Sequence, residues 1–199
     1  MGKEEIKKEL GMGYQELVSY LLDKYGPAQY DYFVNDSFKT KNKKVSRTKE
    51  GLYCHHMDED KAIMLSSAEW ACKNPFEYQK AERLVYCNAL EHLILHVKIV
   101  EAPRAEGANL FEAHGVGGAV NFMCPQINDY YNGFEYKREF ERNIFGAIKD
   151  NFEDYIKILR YFLGVLHDKH PEYLSLVNER SLSKGFRGDI VEKVYERIK

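Results

Sequence analysis

The chain has 199 residues, 44% hydrophobic and 30% charged, with a formal net charge of -2. That is enough apolar material for one large domain or two small ones, and the near-neutral balance gives no whole-chain argument for nucleic-acid binding; a cationic surface has to come from local segregation of charge. No apolar stretch approaches the ~20 residues that span a bilayer, and the opening MGKEEIKKELGMG is too polar for a signal peptide, so a cytoplasmic location and no membrane partner are expected. The cysteines Cys54, Cys72, Cys87 and Cys124 show no CxxC spacing, which speaks against a zinc knuckle and a disulfide framework and for reduced thiols.

In chain order, residues 14–25 carry Leu17, Val18, Tyr20, Leu21 and Leu22 at helical spacing and stop at Gly26-Pro27, which predicts a first helix. The aromatic run Tyr30, Tyr32, Phe33 and Val34 is compatible with a strand or with the second arm of a helical hairpin. Residues 39–49, KTKNKKVSRTK, concentrate Lys39, Lys41, Lys43, Lys44, Arg47 and Lys49 without an acid and read as an exposed loop. The short apolar segment Gly51–Cys54 follows and carries the pair His55-His56 at its end.

Residues 57–81 look like an insertion, with a helix expected around Ser67–Lys73 and a stop at Asn74-Pro75. The run Arg83–Cys87 is rich in strand formers. Asn88-Ala89-Leu90-Glu91 has the spacing of a capping box, so a helix should start there, carry His92 and His96, and end near Val100 before Pro103. Residues 104–124 are rich in small residues and glycine and suggest a loop between two parts of the fold. Beyond Pro125, helical spacing recurs near 125–148, 152–167, 172–179 and 186–198. The expected organisation is therefore 1–50, an N-terminal helix and basic loop; 51–103, a compact module; and 104–199, a helical C-terminal region.

Four of the seven histidines fall in residues 55–96, in two informative pairs. Adjacent histidines on an extended segment point to opposite faces, so one can hold a metal while the other handles a water. Histidines four apart on a helix share a face and can converge on one ion.

The stretches GLYCHHMDED and AERLVYCNALEHLILHVKI resemble the HNH branch of the His-Me finger, or ββα-metal, nucleases over roughly residues 51–100. In that family a strand ends in His-His or Asp-His, a second strand follows, and a helix supplies further histidines. The resemblance implies an α+β fold, with a small ββα-metal module embedded in a mainly helical protein. It implies hydrolysis of DNA phosphodiester bonds with a divalent cation, Mg²⁺, Mn²⁺, Ni²⁺ or Zn²⁺, held by His55, His92 and His96, and with His56 as the general base. Lys41, Lys43, Lys44, Arg47 and Arg83 would face the DNA.

Two features depart from the family pattern. Arg83 stands where the family has an asparagine, and an arginine neither accepts a hydrogen bond nor ligates a metal, although it can contact a phosphate. The insertion 57–81 is the other, and its Asp58, Glu59 and Asp60 read on spacing as a surface turn, while offering carboxylates able to replace a missing ligand. Taken alone, His92 and His96 on so apolar a helix also read as core histidines, and the basic run as a solvated loop. The runner-up function is a non-catalytic relative that binds nucleic acid or a protein partner through the C-terminal helices, as an inhibitor or regulator of a nucleic-acid enzyme. A structural zinc site made by the same histidines is a third reading. Catalysis needs an open metal position, whereas a structural site is closed by four ligands.

Overall fold

The computed structural model describes residues 3–103 and 114–176, together with Glu196. The helix expected at 186–198 lies outside these residues, as do residues 104–113 and the end of the segment expected at 172–179. The chain begins with a helix that the sequence reading did not anticipate, α1, Lys3–Gly11, whose Ile6 and Leu10 lie four apart and face the core. Then α2, Tyr14–Tyr25, follows the predicted periodicity and ends at Gly26, where φ is 76° and the Gly26 N–H donates to the Leu22 carbonyl. A left-handed φ of this kind is why glycine closes the helix.

The aromatic run at 30–34 is neither strand nor hairpin helix. It forms a single bridge between Phe33 and Lys41, and Phe33 is buried against Phe38 and Phe76. The basic run folds as two short 3₁₀ turns, Lys43–Val45 and Thr48–Glu50. Val45 is buried and its carbonyl accepts from the Tyr86 hydroxyl at 2.8 Å, so the run is pinned at its middle.

Strand β1, Tyr53–His56, pairs antiparallel with β2, Leu84–Cys87, with His55 opposite Val85 and His56 opposite Leu84. Between them lie a 3₁₀ turn at Met57–Asp60, the one-turn helix α3, Ala68–Ala71, and 3₁₀ turns at Phe76–Gln79 and Ala81–Arg83. Helix α4, Ala89–Glu101, starts in the expected capping box: the Asn88 side chain accepts from the Leu90 and Glu91 N–H groups, and Glu91 accepts from the Asn88 N–H. Every residue from Ala89 to Val100 except His92 is buried, so α4 is a core helix and not an amphipathic surface one.

After residue 114 the chain runs through α5, Val116–Gly118, a π-helical turn Ala119–Met123, α6, Cys124–Tyr131, α7, Glu139–Gly146, and α8, Phe152–Lys169, then a 3₁₀ turn Pro171–Leu176. Helix α4 packs on α1, α2, α8, the π turn and both strands, and one cluster of buried side chains extends from Ile6 to Leu166. Residues from all three expected segments thus share one core. The fold is α+β, rich in helix, with a two-stranded antiparallel sheet. Among the described residues no helix is long and apolar enough to cross a membrane. All four cysteines are free, and Cys87 and Cys124 are buried.

Candidate metal centre

The alternation of β1 sends His55 and His56 to opposite sides of the sheet. His55 turns toward α4, where its ring lies 5.1 Å from that of His92 and 5.4 Å from that of His96, centroid to centroid. His92 and His96, one helical turn apart, are 4.8 Å from each other. The 3₁₀ turn after β1 adds a fourth donor. Glu59 Oε2 lies 3.6 Å from His55 Nδ1 and 3.7 Å from His96 Nε2. One donor atom from each of His55, Glu59, His92 and His96 lies within 4.8 Å of the other three. Four ligands about 2.0–2.2 Å from a tetrahedral ion are about 3.3–3.6 Å apart, a separation that Glu59 already approaches to His55 and His96, so drawing in the wider pairs would bring all four onto one cation.

The tautomer of His55 is set from outside the cluster. The Tyr14 hydroxyl donates to the Met57 carbonyl at 3.0 Å, so its oxygen is left to accept from His55 Nε2, also at 3.0 Å. His55 therefore carries its proton on Nε2 and turns the Nδ1 lone pair into the cluster, the arrangement in which an outer hydrogen bond orients a metal-binding imidazole. Nδ1 of His55, His92 and His96 are all buried without a hydrogen-bond partner. Buried nitrogens of this sort are uncommon unless something else satisfies them.

Electrostatics point the same way. Burial, helped by the neighbouring imidazoles, holds His55 and His92 well below the ordinary histidine value, and burial lowers His96 to about 4. The rings are thus unprotonated at neutral pH, as ligands must be. Burial also pushes the Glu59 carboxyl up to about 8, and a nearby dication would reverse that shift by favouring the carboxylate.

His56 sits on the far face, fully buried, with its ring 4.5 Å from that of Tyr32. Its Nε2 is 2.9 Å from Gln79 Oε1, and its Nδ1 lies 3.9 Å from Glu59 Oε1 and has no hydrogen-bond partner. Burial lowers its pKa to about 4, against the opposing effect of the Gln79 hydrogen bond. Glu59 thus stands between the three-histidine cluster and His56.

The cations expected to face DNA have different settings. Arg83 forms a fork on Asp58, and Arg47 is occupied by Glu50, the Tyr25 carbonyl and the Tyr86 ring. Lys41 lies over the Tyr32 ring at 5.4 Å, and Lys44 over Tyr30 at 5.3 Å; Lys41, Lys43 and Lys44 are exposed. His114 Nδ1 lies 3.0 Å from the Asp60 carbonyl.

Four site residues went unrecognised or undervalued in the sequence: Tyr14, Glu59, Gln79 and Gly118. A Cβ built on Gly118 would lie 2.3 Å from His96 Cε1 and 2.4 Å from its Nδ1. The glycines of the GVGG segment therefore let the backbone close over His96, a reading available from the sequence only as "glycine-rich". Glu59 belonged to an acidic trio expected as a surface turn; the structure instead buries most of it beside three imidazoles.

Comparison with protein-family models, with curated proteins and with solved structures gives no significant match for this chain.

Proposed function

We propose that the protein is a metal-dependent, HNH-type endonuclease of the ββα-metal kind that hydrolyses DNA phosphodiester bonds. The observation that carries this reading is the convergence of His55, His92, His96 and Glu59 at the junction of β1, β2 and α4, with His56 next to them on the same strand. The order of strand, strand and capped helix agrees with the family resemblance of residues 51–100.

A bound divalent cation supplies neutralisation of the scissile phosphate and stabilisation of the departing 3′ oxygen. Within the chain, His55, His92 and His96 present unprotonated nitrogens, and Tyr14 and Gly118 hold two of those rings in place. His56 Nδ1, with its lone pair unclaimed, would take the proton of the attacking water once this face opens to solvent, since His56 is fully buried here. Lys41, beside Tyr32 and the His56 ring, meets the phosphate backbone together with Lys43 and Lys44. Arg83 acts on DNA only if its fork to Asp58 opens.

A second reading is favoured by specific observations. Three histidines and one carboxylate suffice to close a tetrahedral site, and His55, His56 and His96 are each less than 10% exposed, which suits a structural metal in a protein that binds nucleic acid or another protein. Cleavage of plasmid and single-stranded DNA with Mg²⁺, Mn²⁺, Ni²⁺ or Zn²⁺, abolished by EDTA, supports the nuclease. Folded protein that binds one metal ion and cleaves neither substrate contradicts it and favours the structural reading.

A further inference from the structure

The insertion between β1 and β2 contributes a residue to the histidine that the cluster does not hold. The 3₁₀ turn Phe76–Gln79 follows Pro75 and places Gln79 in the interior, with no exposed surface. Its backbone carbonyl accepts from the Tyr32 N–H at 2.7 Å, which ties the turn to the ring covering His56. Its amide nitrogen donates to the Leu65 carbonyl at 3.2 Å, and its amide oxygen faces His56 Nε2 at 2.9 Å.

The orientation of that amide follows from its surroundings. A backbone carbonyl only accepts, so the end of Gln79 that meets Leu65 must be the NH₂ group. The end that meets His56 is then the oxygen, which also only accepts. His56 has to supply the proton, from Nε2. A neutral imidazole carries one N–H, so Nδ1 holds the lone pair, and Nδ1 is the buried nitrogen without a partner, on the side of Glu59.

We infer that Gln79 is a positioning residue that fixes His56 in the Nε2–H tautomer and aims the Nδ1 lone pair toward the metal-binding cluster. The role is the one Tyr14 plays for His55, carried out on the opposite face of the strand by a residue from the insertion. As a claim about catalysis it rests on the reading of His56 as the base; as a claim about the tautomer it stands without it. Removing the acceptor would let the proton move to Nδ1, the atom that has to be free to take one from water. Leu65 and Gln79 thereby give the insertion a chemical purpose.

The test is long-range ¹H–¹⁵N correlation of the histidine rings in ¹⁵N-labelled, Zn²⁺-loaded protein, which distinguishes the protonated from the unprotonated ring nitrogen, alongside cleavage kinetics of Gln79→Leu and Gln79→Glu. The inference expects His56 to be Nε2–H in the wild type and to lose that preference in Gln79→Leu. It expects Gln79→Glu, which keeps an acceptor against His56 while losing the donor to Leu65, to retain the wild-type tautomer. With cleavage as the readout, Gln79→Leu should lower kcat at least about tenfold with KM and metal stoichiometry unchanged, and Gln79→Glu should recover most of it. A wild-type His56 protonated on Nδ1, or an Nε2–H signal equally strong in Gln79→Leu, overturns the inference, as do equal kcat losses in the two variants. A wild type that cleaves nothing overturns the nuclease reading instead, and the ring spectra still decide the tautomer.

Discussion

Arg83 Nε and Nη2 donate to the two carboxylate oxygens of Asp58 at 2.7 and 2.5 Å, a planar fork between the start of β2 and the turn that follows β1. Asp58 is buried; burial alone would raise its carboxyl, and the hydrogen bonds from Arg83 and Lys61 instead hold it below the usual range. Glu59 is the next residue, so the fork fixes the turn from which Glu59 reaches the histidines. Arg83 is thus an anchor for the turn that carries Glu59.

Arg83→Ala leaves Asp58 buried with only the exposed Lys61 as a cationic partner. The expected loss is about 1–3 kcal/mol of stability, discounted from a fully buried pair because Arg83 is partly exposed, and metal affinity should fall with it. Denaturant unfolding and metal titration of the variant check this. An unchanged midpoint and affinity would show that the turn holds itself.

Gly118 and Gly117 make a controlled pair. Both lie in α5, where Gly118 has an ordinary helical φ of -62°, so alanine there is opposed by space and not by backbone geometry. Gly118→Ala sets a methyl against the His96 ring and should lower metal affinity about 10- to 100-fold. Gly117→Ala meets nothing closer than the Asn121 amide nitrogen at 3.8 Å and should bind metal like the wild type. Isothermal titration of the two variants is the comparison, and equal affinities would remove Gly118 from the site.

Glu9 predicts a pH dependence of stability away from the histidine cluster. It is fully buried with neither oxygen hydrogen-bonded, and Lys24, which pairs with Glu5 and Glu91, comes no nearer to it than 3.8 Å. Burial, reinforced by the Glu91 charge, pushes its carboxyl from 4.5 up to about 8. The folded state therefore keeps a proton that the unfolded chain releases above pH 4.5. Its contribution is fully present below that value and is lost as pH rises toward 8. Glu9→Gln, which imitates the protonated carboxyl, should flatten this slope and stabilise the protein at pH 8 by about 1–3 kcal/mol, a Tm rise of roughly 2–4 °C per kcal/mol. Thermal unfolding from pH 5 to 8 reads the effect; parallel curves for the two proteins would contradict it.

The parts of the fold legible in the sequence were those governed by local chemistry. The Asn88–Glu91 capping box, the Gly26 stop and the strand formers of Leu84–Cys87 each act within a few residues. Helix α1 was missed because its charged residues hide an apolar stripe of two side chains, Ile6 and Leu10. The pairing of His92 with His96 was legible from helix periodicity, whereas the addition of His55 to that pair came only from the resemblance of residues 51–100. Tyr14, Glu59, Gln79 and Gly118 were not legible, because each reaches its histidine through tertiary placement: Tyr14 from a helix forty-one residues before His55, and Gln79 from twenty-three residues after His56. The basic run was legible as charge, but the capture of Arg47 by Glu50 and the Tyr25 carbonyl depends on contacts that composition does not encode.

The most direct measurement is plasmid nicking by the wild type and His56→Ala, side by side in Mg²⁺, Mn²⁺ and EDTA, with bound metal quantified in both proteins. Metal-dependent nicking by the wild type is expected, with its loss in His56→Ala and one metal ion retained by each protein, since His56 lies outside the proposed ligand set. Folded, metal-bound wild type that nicks nothing, or a His56→Ala variant that nicks as well as the wild type, would contradict that expectation.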